Sequence, residues 1–293
     1  MKIGIIGAGS IGLLFASYLS KEHQVTLYCR TEIQAKTINE KGVVLKQKDS
    51  EKHISLKAKG SAFPEEEDLY IIAVKQYHLQ NMEQIFCRIS PDIPLIFVQN
   101  GLGHLSIIDS LNHKTVYLGI TEHGALKDDC RTVNHTGKGT TKIAVYRGNE
   151  DSLQKLAQEL TGDQFPFLAE DSWKDMLYGK LIVNAVINPL TAILKVKNGE
   201  LIQNDHYYQL LKLIFDETAD VLKISGRDEM LARVVRVCRQ TGENESSMLR
   251  DVLSGRQTEI DGIVGFLLKK AQEEMIPVPH LQFVYHCIKG MEQ

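Results

Sequence analysis

Lys180, Asn184 and Asn188 stand four residues apart in the stretch YGKLIVNAVINPL, residues 178 to 190. With 3.6 residues per helical turn, their side chains line one face. The rest of the stretch is largely apolar, and an amine and two amides are costly to bury unless each is paired. Such a face suits the reduction of a carbonyl. Hydride addition to a ketone leaves an alkoxide, which needs a proton and an electrostatic partner as it forms. Lys180 can supply both, and its neighbours Leu181, Ile182 and Val183 are expected to desolvate the amine and lower its pKa. Asn184 can hold the amine or the carbonyl in line. The plainer readings are a snorkelling lysine and, for Asn188, an amide that satisfies backbone groups freed by Pro189.

A hydride needs a donor, and the N-terminus offers a place for one. Gly7, Gly9 and Gly12 form GxGxxG between the apolar run KIGII and a helical repeat of Ile11, Leu14, Phe15 and Tyr18. Gly7 permits a tight turn, Gly9 lets a pyrophosphate approach the backbone, and Gly12 allows close helix packing. The loop Gly7, Ala8, Gly9, Ser10, Ile11 and Gly12 is therefore expected to bind a dinucleotide through its N–H groups. After the second strand, where an acid would serve NAD, the chain reads Leu27-Tyr28-Cys29-Arg30. Arg30 suits the 2′-phosphate of NADPH, or else is a solvated arginine ahead of a capping threonine. Ligands of open α/β sheets collect beyond the carboxyl ends of strands, which is where Lys75-Gln76 and Asn100-Gly101 fall. Either could be a strand end entering solvent, but their agreement with the glycine loop and Arg30 favours contact with cofactor or substrate.

These residues need elements to hold them. VTLYC (25–29), DLYIIAV (68–74), PLIFVQ (94–99), TVYLGI (115–120) and KIAVY (142–146) read as short strands with helical segments between several of them. GVVLKQ and HISLKA, separated by KDSEK, read as a hairpin, and Thr31 with Gln34 as a capping box. Beyond residue 150, SLQKLAQEL, the Lys180 helix, a segment from Glu200 to about Ser225, and EIDGIVGFLLKKAQEE are helical in period. The expected fold is α/β: a Rossmann-type, doubly wound, mostly parallel sheet over 1–169, followed by an all-helical domain over 170–293.

Bulk properties narrow the partners. With 293 residues, 43% hydrophobic, 24% charged and a net charge of -3, the composition is ordinary globular and lacks the basic footprint of a nucleic-acid binder. The five cysteines are scattered, with no CxxC, so no metal site is expected and reduced thiols in a cytoplasmic setting are. Residues 3–19 are uncharged but hold four glycines, which argues against a secretory segment. No other stretch reads as a membrane span.

Taken together, GAGSIG (7–12), VKQ (74–76), QNGLG (99–103), HTGKG (135–139), KLIVNAVINPLTA (180–192), NGEL (198–201), SSMLRD (246–251) and TEID (258–261) give the chain a full-length resemblance to the 2-dehydropantoate 2-reductase, or ketopantoate reductase, family. The resemblance implies NADPH-dependent reduction of 2-dehydropantoate to (R)-pantoate in a cleft between the domains, on the way to pantothenate and coenzyme A. It implies that Lys180 acts on the keto oxygen and Glu259 binds substrate. It also implies that Asn100, Asn184, Asn188, Asn198, Asn244 and Ser247 line the substrate cleft, with Lys75, Gln76 and Asn100 also touching cofactor. The expected partners are a small 2-keto acid and a second copy in a homodimer, with neither nucleic acid nor membrane.

Chemistry divides the roles further. The Glu259 carboxylate should repel the substrate's own carboxylate and so accept from a hydroxyl, which ketopantoate carries at C4. Asn100 and Ser247, being neutral, suit the substrate carboxylate. Glu259 could instead stabilise a helix N-terminus, and Ser247 could be a helix cap. Two departures from the family stand out: Ser10 where alanine is common, and no glycine turn around KDDCRTV (127–133). A reductase of another 2-keto acid and a non-catalytic dinucleotide sensor are the alternatives. Lys180, Asn184 and Glu259 together speak against the sensor.

Overall fold

The computed structural model describes residues 1–48, 50–60 and 64–292. Two compact units make up the chain. The first comprises Met1–Gln99 and Ile107–Met176, the second Asn100–Ser106 and Leu177–Gln293. The division thus falls inside a helix rather than ahead of it, and a short loop after residue 99 belongs with the C-terminal unit.

Among the described residues the first unit is built on twelve strands: β1 (Lys2–Ile6), β2 (Gln24–Cys29), β3 (Val43–Gln47), β4 (Ser50–Ile54), β5 (Lys57–Gly60), β6 (Leu69–Ile72), β7 (Leu95–Phe97), β8 (Val116–Thr121), β9 (Gly124–Lys127), β10 (Thr132–Gly137), β11 (Thr141–Arg147) and β12 (Phe167–Ala169). Eight form one sheet in the order β12-β11-β8-β7-β6-β1-β2-β5. Among the described residues of this sheet, β8 and β11 pair antiparallel and all other neighbours pair parallel. The central strands are buried along almost their whole length, the pattern of a parallel sheet covered on both faces. The mostly parallel sheet read from the sequence is present.

A second sheet, β4-β3-β10-β9, was not anticipated. The hairpin is real, since β3 and β4 pair antiparallel, with Asp49 of its turn outside the described residues. The run HISLKA, however, is not one strand. His53-Ile54 finishes β4, while Lys57-Ala58 opens β5 at the edge of the large sheet. The reason is a separate clamp: Asn39, on the helix Glu32–Lys41, bonds both the N–H and the carbonyl of Ala58 at 2.8 Å. The glycine expected before HTGKG is replaced by a side chain. Asp129 accepts from the N–H groups of Arg131 and Thr132, each at 2.8 Å, and closes the turn from β9 to β10.

The HTGKG histidine locks this second sheet to the glycine-loop helix Ser10–Leu19. Gln47 donates to the Tyr18 hydroxyl at 2.6 Å, and that hydroxyl meets His135 Nδ1 at 2.7 Å. His135 Nε2 in turn meets His123 Nδ1 at 3.1 Å, which also accepts from the Gly139 N–H at 3.2 Å. Because an N–H already points at His123 Nδ1, His135 must donate from Nε2 and accept from Tyr18 at Nδ1. Every tautomer in this buried chain is fixed by that direction. Burial pushes the pKa of His123 down to about 4 and lowers that of His135, so both stay neutral.

Among the described residues, the second unit contains no strand after Leu177. Its principal helices are the C-terminal part of Trp173–Leu194, then Asp205–Leu222, Arg227–Gln240, Phe266–Glu273 and Pro279–Met291. The segment expected to be one helix from Glu200 breaks at Asn204, whose side chain caps Asp205–Leu222 by accepting from His206 N and Tyr207 N. EIDGIVG is wound as a π-turn over Asp261–Gly265 before the helix continues. Of the stripe expected from the period, Ile260, Ile263, Val264, Leu267, Leu268 and Ala271, all are buried except Leu268, which is half-buried. One reading needs correcting: Trp173–Leu194 is long and apolar enough to cross a membrane. Most of it is buried inside the protein, as expected of a core helix.

Candidate active site

In the first unit the glycine loop owes its shape to backbone. Gly7 takes φ +113° and donates its N–H to the Tyr28 carbonyl at 3.0 Å, fastening the end of β1 to β2. A Cβ on Gly12 would sit 1.7 Å from the Gly7 carbonyl oxygen, so only glycine allows the helix to start this close. Gly9 is the N-cap of that helix with no side-chain cap bond, and no atom lies within 4 Å of where its Cβ would be. Open space in front of free helical N–H groups fits a pyrophosphate. Ser10 and Ile11 open the helix, half-buried, behind that space.

Two side chains not foreseen from the sequence meet on the loop. Gln34 Nε2 donates to the Ala8 carbonyl at 3.1 Å, and Lys127 Nζ donates to the same oxygen at 2.9 Å. Thr31 does cap the following helix through Gln34 N, but the Gln34 side chain goes to Ala8 and Cys130 instead of closing a capping box. Lys127 lies on β9, in the unanticipated sheet, where only a fold could bring it to residue 8. Burial lowers its pKa, with the Arg30 charge adding to the effect. The same guanidinium helps lower the pKa of His78 after burial. Arg30, at the end of β2, is exposed, so a cationic edge flanks the loop where the second strand ends. Beyond β6, Lys75 is the N-cap of the short helix Gln76–Leu79, and both residues are half-buried. Gln99 ties the ends of β6 and β7 together by donating to the Ile72 and Val74 carbonyls at 2.8 and 3.0 Å.

In the second unit, the structure brings Asn100 and Glu259 together although they are 159 residues apart in sequence. Asn100 Nδ2 donates to Glu259 Oε2 at 2.9 Å, and Glu259 is only 9% exposed. A carboxylate presents about four acceptor positions, more than one amide N–H occupies. The loop that carries Asn100 is seated by backbone: Gly101 has φ +78°, and Leu102 N donates to the Gly262 carbonyl at 3.0 Å. A Cβ on Gly101 would lie 2.1 Å from that oxygen. The π-turn after Glu259 supplies the docking point, and π-turns recur at functional sites.

Lys180 and Asn184 are half-buried and Asn188 is buried on the helix Trp173–Leu194, which continues through Pro189. Thr191 Oγ1 donates to the carbonyls of Ile187 and Asn188 in the turn that contains that proline. The same hydroxyl meets Ser246 Oγ at 2.8 Å. Ser246, which accepts from Leu249 N, is the cap of the helix Ser247–Leu253, leaving Ser247 exposed at its first turn. Asn198 N donates to the Asn244 carbonyl at 3.1 Å and its amide donates to Thr241 Oγ1, while its buried Oδ1 has no hydrogen-bond partner. Asn244 itself is exposed. A buried unpartnered acceptor on such a loop is the kind of group a ligand completes.

Comparison with known proteins places the chain in a family. Residues 3–148 match the family model for ketopantoate reductase PanE/ApbA, and residues 172–292 the model for its C-terminal part. A 2-dehydropantoate 2-reductase of Bacillus subtilis is 43% identical over 296 residues, covering 100% of this chain and 98% of the relative. The crystal structure of a probable 2-dehydropantoate 2-reductase from Bacillus subtilis superposes with a TM-score of 0.92 at 42% identity, covering 100% of both chains. D-mandelate dehydrogenase, in a ternary structure with NADH and anilino(oxo)acetate, has a TM-score of 0.92 at 25% identity, covering 100% of this chain and 98% of that one. The chain belongs to the ketopantoate reductase family of oxidoreductases.

Proposed function

We propose that the protein reduces 2-dehydropantoate to (R)-pantoate with NADPH, a step towards pantothenate and coenzyme A. The glycine loop holds the dinucleotide by backbone N–H groups and Arg30 selects the 2′-phosphate. NADPH, when bound, supplies the hydride. Lys180 Nζ stabilises the alkoxide as it forms and passes it a proton, so hydride and proton together convert ketone to alcohol. Asn184 and Asn188 keep the polar face of the Lys180 helix directed at the substrate, and Asn198, Asn244 and Ser247 contribute to its binding.

The observation that carries this reading is the buried Asn100–Glu259 pair. A carboxylate held there rejects the substrate's own carboxylate and accepts its C4 hydroxyl. Asn100, with one N–H on Glu259, has a second to offer. The test is a panel of ketopantoate, pyruvate, 2-ketoisovalerate and acetoacetate with NADPH, followed by the loss of reduced-nicotinamide absorbance. Ketopantoate should give the highest kcat/KM, and a preference for a substrate without the C4 hydroxyl would refute the Glu259 role. A second reading, reduction of a different 2-keto acid with NADH, is favoured by the likeness to D-mandelate dehydrogenase. The same panel run with both cofactors separates the two.

A further inference from the structure

The segment that carries Glu259 is gripped on both sides by the last helix of the chain. On one side Glu292 Oε1 accepts two bonds from Thr258, from its N–H at 2.8 Å and from its hydroxyl at 2.7 Å. With its proton committed there, Thr258 Oγ1 turns a lone pair to the Ile260 N–H at 3.1 Å. On the other side Asp261 accepts from the Tyr285 hydroxyl at 2.7 Å and from Lys289 Nζ at 3.1 Å. Lys289 also pairs with Glu292 at 2.9 Å and so joins the two grips. Tyr285, Lys289 and Glu292 all belong to the helix Pro279–Met291 or its C-cap.

The ionisation states make this a charged clamp. Burial alone would raise the pKa of Glu292, but the Lys289 ammonium and the Thr258 donors bring it below the usual carboxylate range. Lys289 is held above the usual lysine range, first by Glu292 and then, against burial, by Asp261. Both therefore stay charged near neutral pH. Thr258 is 1% exposed, so its two donors, left without Glu292, would be buried and unsatisfied.

We propose that the C-terminal helix is a positioning element of the substrate site: Glu292 through Thr258, and Lys289 through Asp261 and Glu292, fix the Glu259 carboxylate against Asn100. None of these residues touches substrate. What they set is the rotamer and direction of the one group that reads the substrate hydroxyl. The far end of the chain thereby determines selectivity for a hydroxylated 2-keto acid. This rests on the reading of Glu259 as the hydroxyl acceptor.

The experiment measures kcat and KM for ketopantoate and for 2-ketoisovalerate, which lacks the hydroxyl, in the full-length protein and in Glu292→Ala, Glu292→Gln and Thr258→Val. Hydrogen bonds to charged groups contribute enough that the ketopantoate preference should fall by about tenfold in Glu292→Ala and Thr258→Val. The fall should come from ketopantoate KM, with the 2-ketoisovalerate constants and the NADPH Kd little changed. Glu292→Gln keeps an acceptor for Thr258 and should recover part of the preference. Equal losses on both substrates, or an undiminished preference in folded Glu292→Ala and Thr258→Val, would overturn the positioning role. A wild-type protein with no preference for ketopantoate, or a preference that survives Glu259→Ala, would instead refute the Glu259 reading, and the inference with it.

Discussion

The glycine loop and the Asn100–Glu259 pair, to which we assign the same task of holding a ligand still, are built by opposite means. The loop uses backbone: a positive φ at Gly7, a helix start pressed against the Gly7 carbonyl at Gly12, and open space at Gly9. Little there depends on what a side chain does. The pair uses side chains from distant segments, each set by a further contact: Gly101 against Gly262 on one side, Thr258 and Asp261 against the last helix on the other. A backbone device is made by neighbours in sequence, whereas a side-chain device exists only once the chain has folded. The two regions should therefore fail differently when disturbed.

The largest expected effect breaks chemistry and spares the loop. Lys180→Ala should lose roughly 100-fold or more in kcat, the scale of a general acid, with NADPH affinity unchanged in fluorescence titration. A parallel loss of cofactor binding would show that the lysine supports the loop instead. Gly12→Ala is the converse. Its methyl would meet the Gly7 carbonyl at 1.7 Å, and two backbone segments cannot separate cheaply. Cofactor affinity should fall at least tenfold, with turnover at saturating cofactor falling less. Unchanged affinity would mean that the loop does not bind the dinucleotide.

The same contrast explains what could be read in advance. Gly7, Gly9 and Gly12 announce themselves by spacing, and the parallel strands by continuous apolar runs, because both signals are local. Lys180, Asn184 and Asn188 were legible as polar residues sharing a helical face. The Asn100–Glu259 bond was not, since nothing in NGLG or TEID states that they meet. Nor was Lys127 on Ala8, because β9 belongs to a sheet whose strands lack a clear alternating pattern. The break of HISLKA depended on Asn39, a single amide on a neighbouring helix. The turn at KDDCRTV looked deficient because glycine was sought where Asp129 folds the chain with its carboxylate.

Smaller effects sharpen the cofactor side. Arg30→Ala should weaken NADPH by about tenfold or more, on the scale of a charge-assisted hydrogen bond, and leave NADH nearly unaffected. Equal loss for both would overturn the 2′-phosphate assignment. Lys127→Met removes a cation held on the loop by the Ala8 carbonyl but keeps much of the side-chain length. It should weaken both cofactors by a similar factor of a few, since it acts on the loop they share. A loss confined to NADPH would place Lys127 with Arg30 instead.

The smallest effect concerns the buried chain from Gln47 through Tyr18 and His135 to His123. In the folded protein His123 titrates at about 4, depressed by burial and then by His135, whereas an unfolded histidine titrates near about 6.5. As pH falls below that unfolded value, the unfolded chain takes up a proton that the folded chain refuses. Stability conferred by the neutral ring is thus fully present above about pH 6.5 and is lost as pH drops towards 4. Each such group can steepen the acid limb by at most about 1.4 kcal/mol per pH unit, roughly 3 °C in Tm for a protein of this size. His123→Asn keeps an acceptor for the Gly139 and His135 N–H groups but cannot be protonated. It should lower Tm modestly at pH 7.5 yet flatten the decline of Tm between pH 6.5 and 4 by about that slope, in thermal melts across the range. His104 and His113, also depressed by burial, keep their own share of the acid sensitivity, so the difference from wild type, not the slope itself, reports on His123. A variant whose slope matches wild type would show that folding does not depress the pKa of His123, against the effect of burial argued for it.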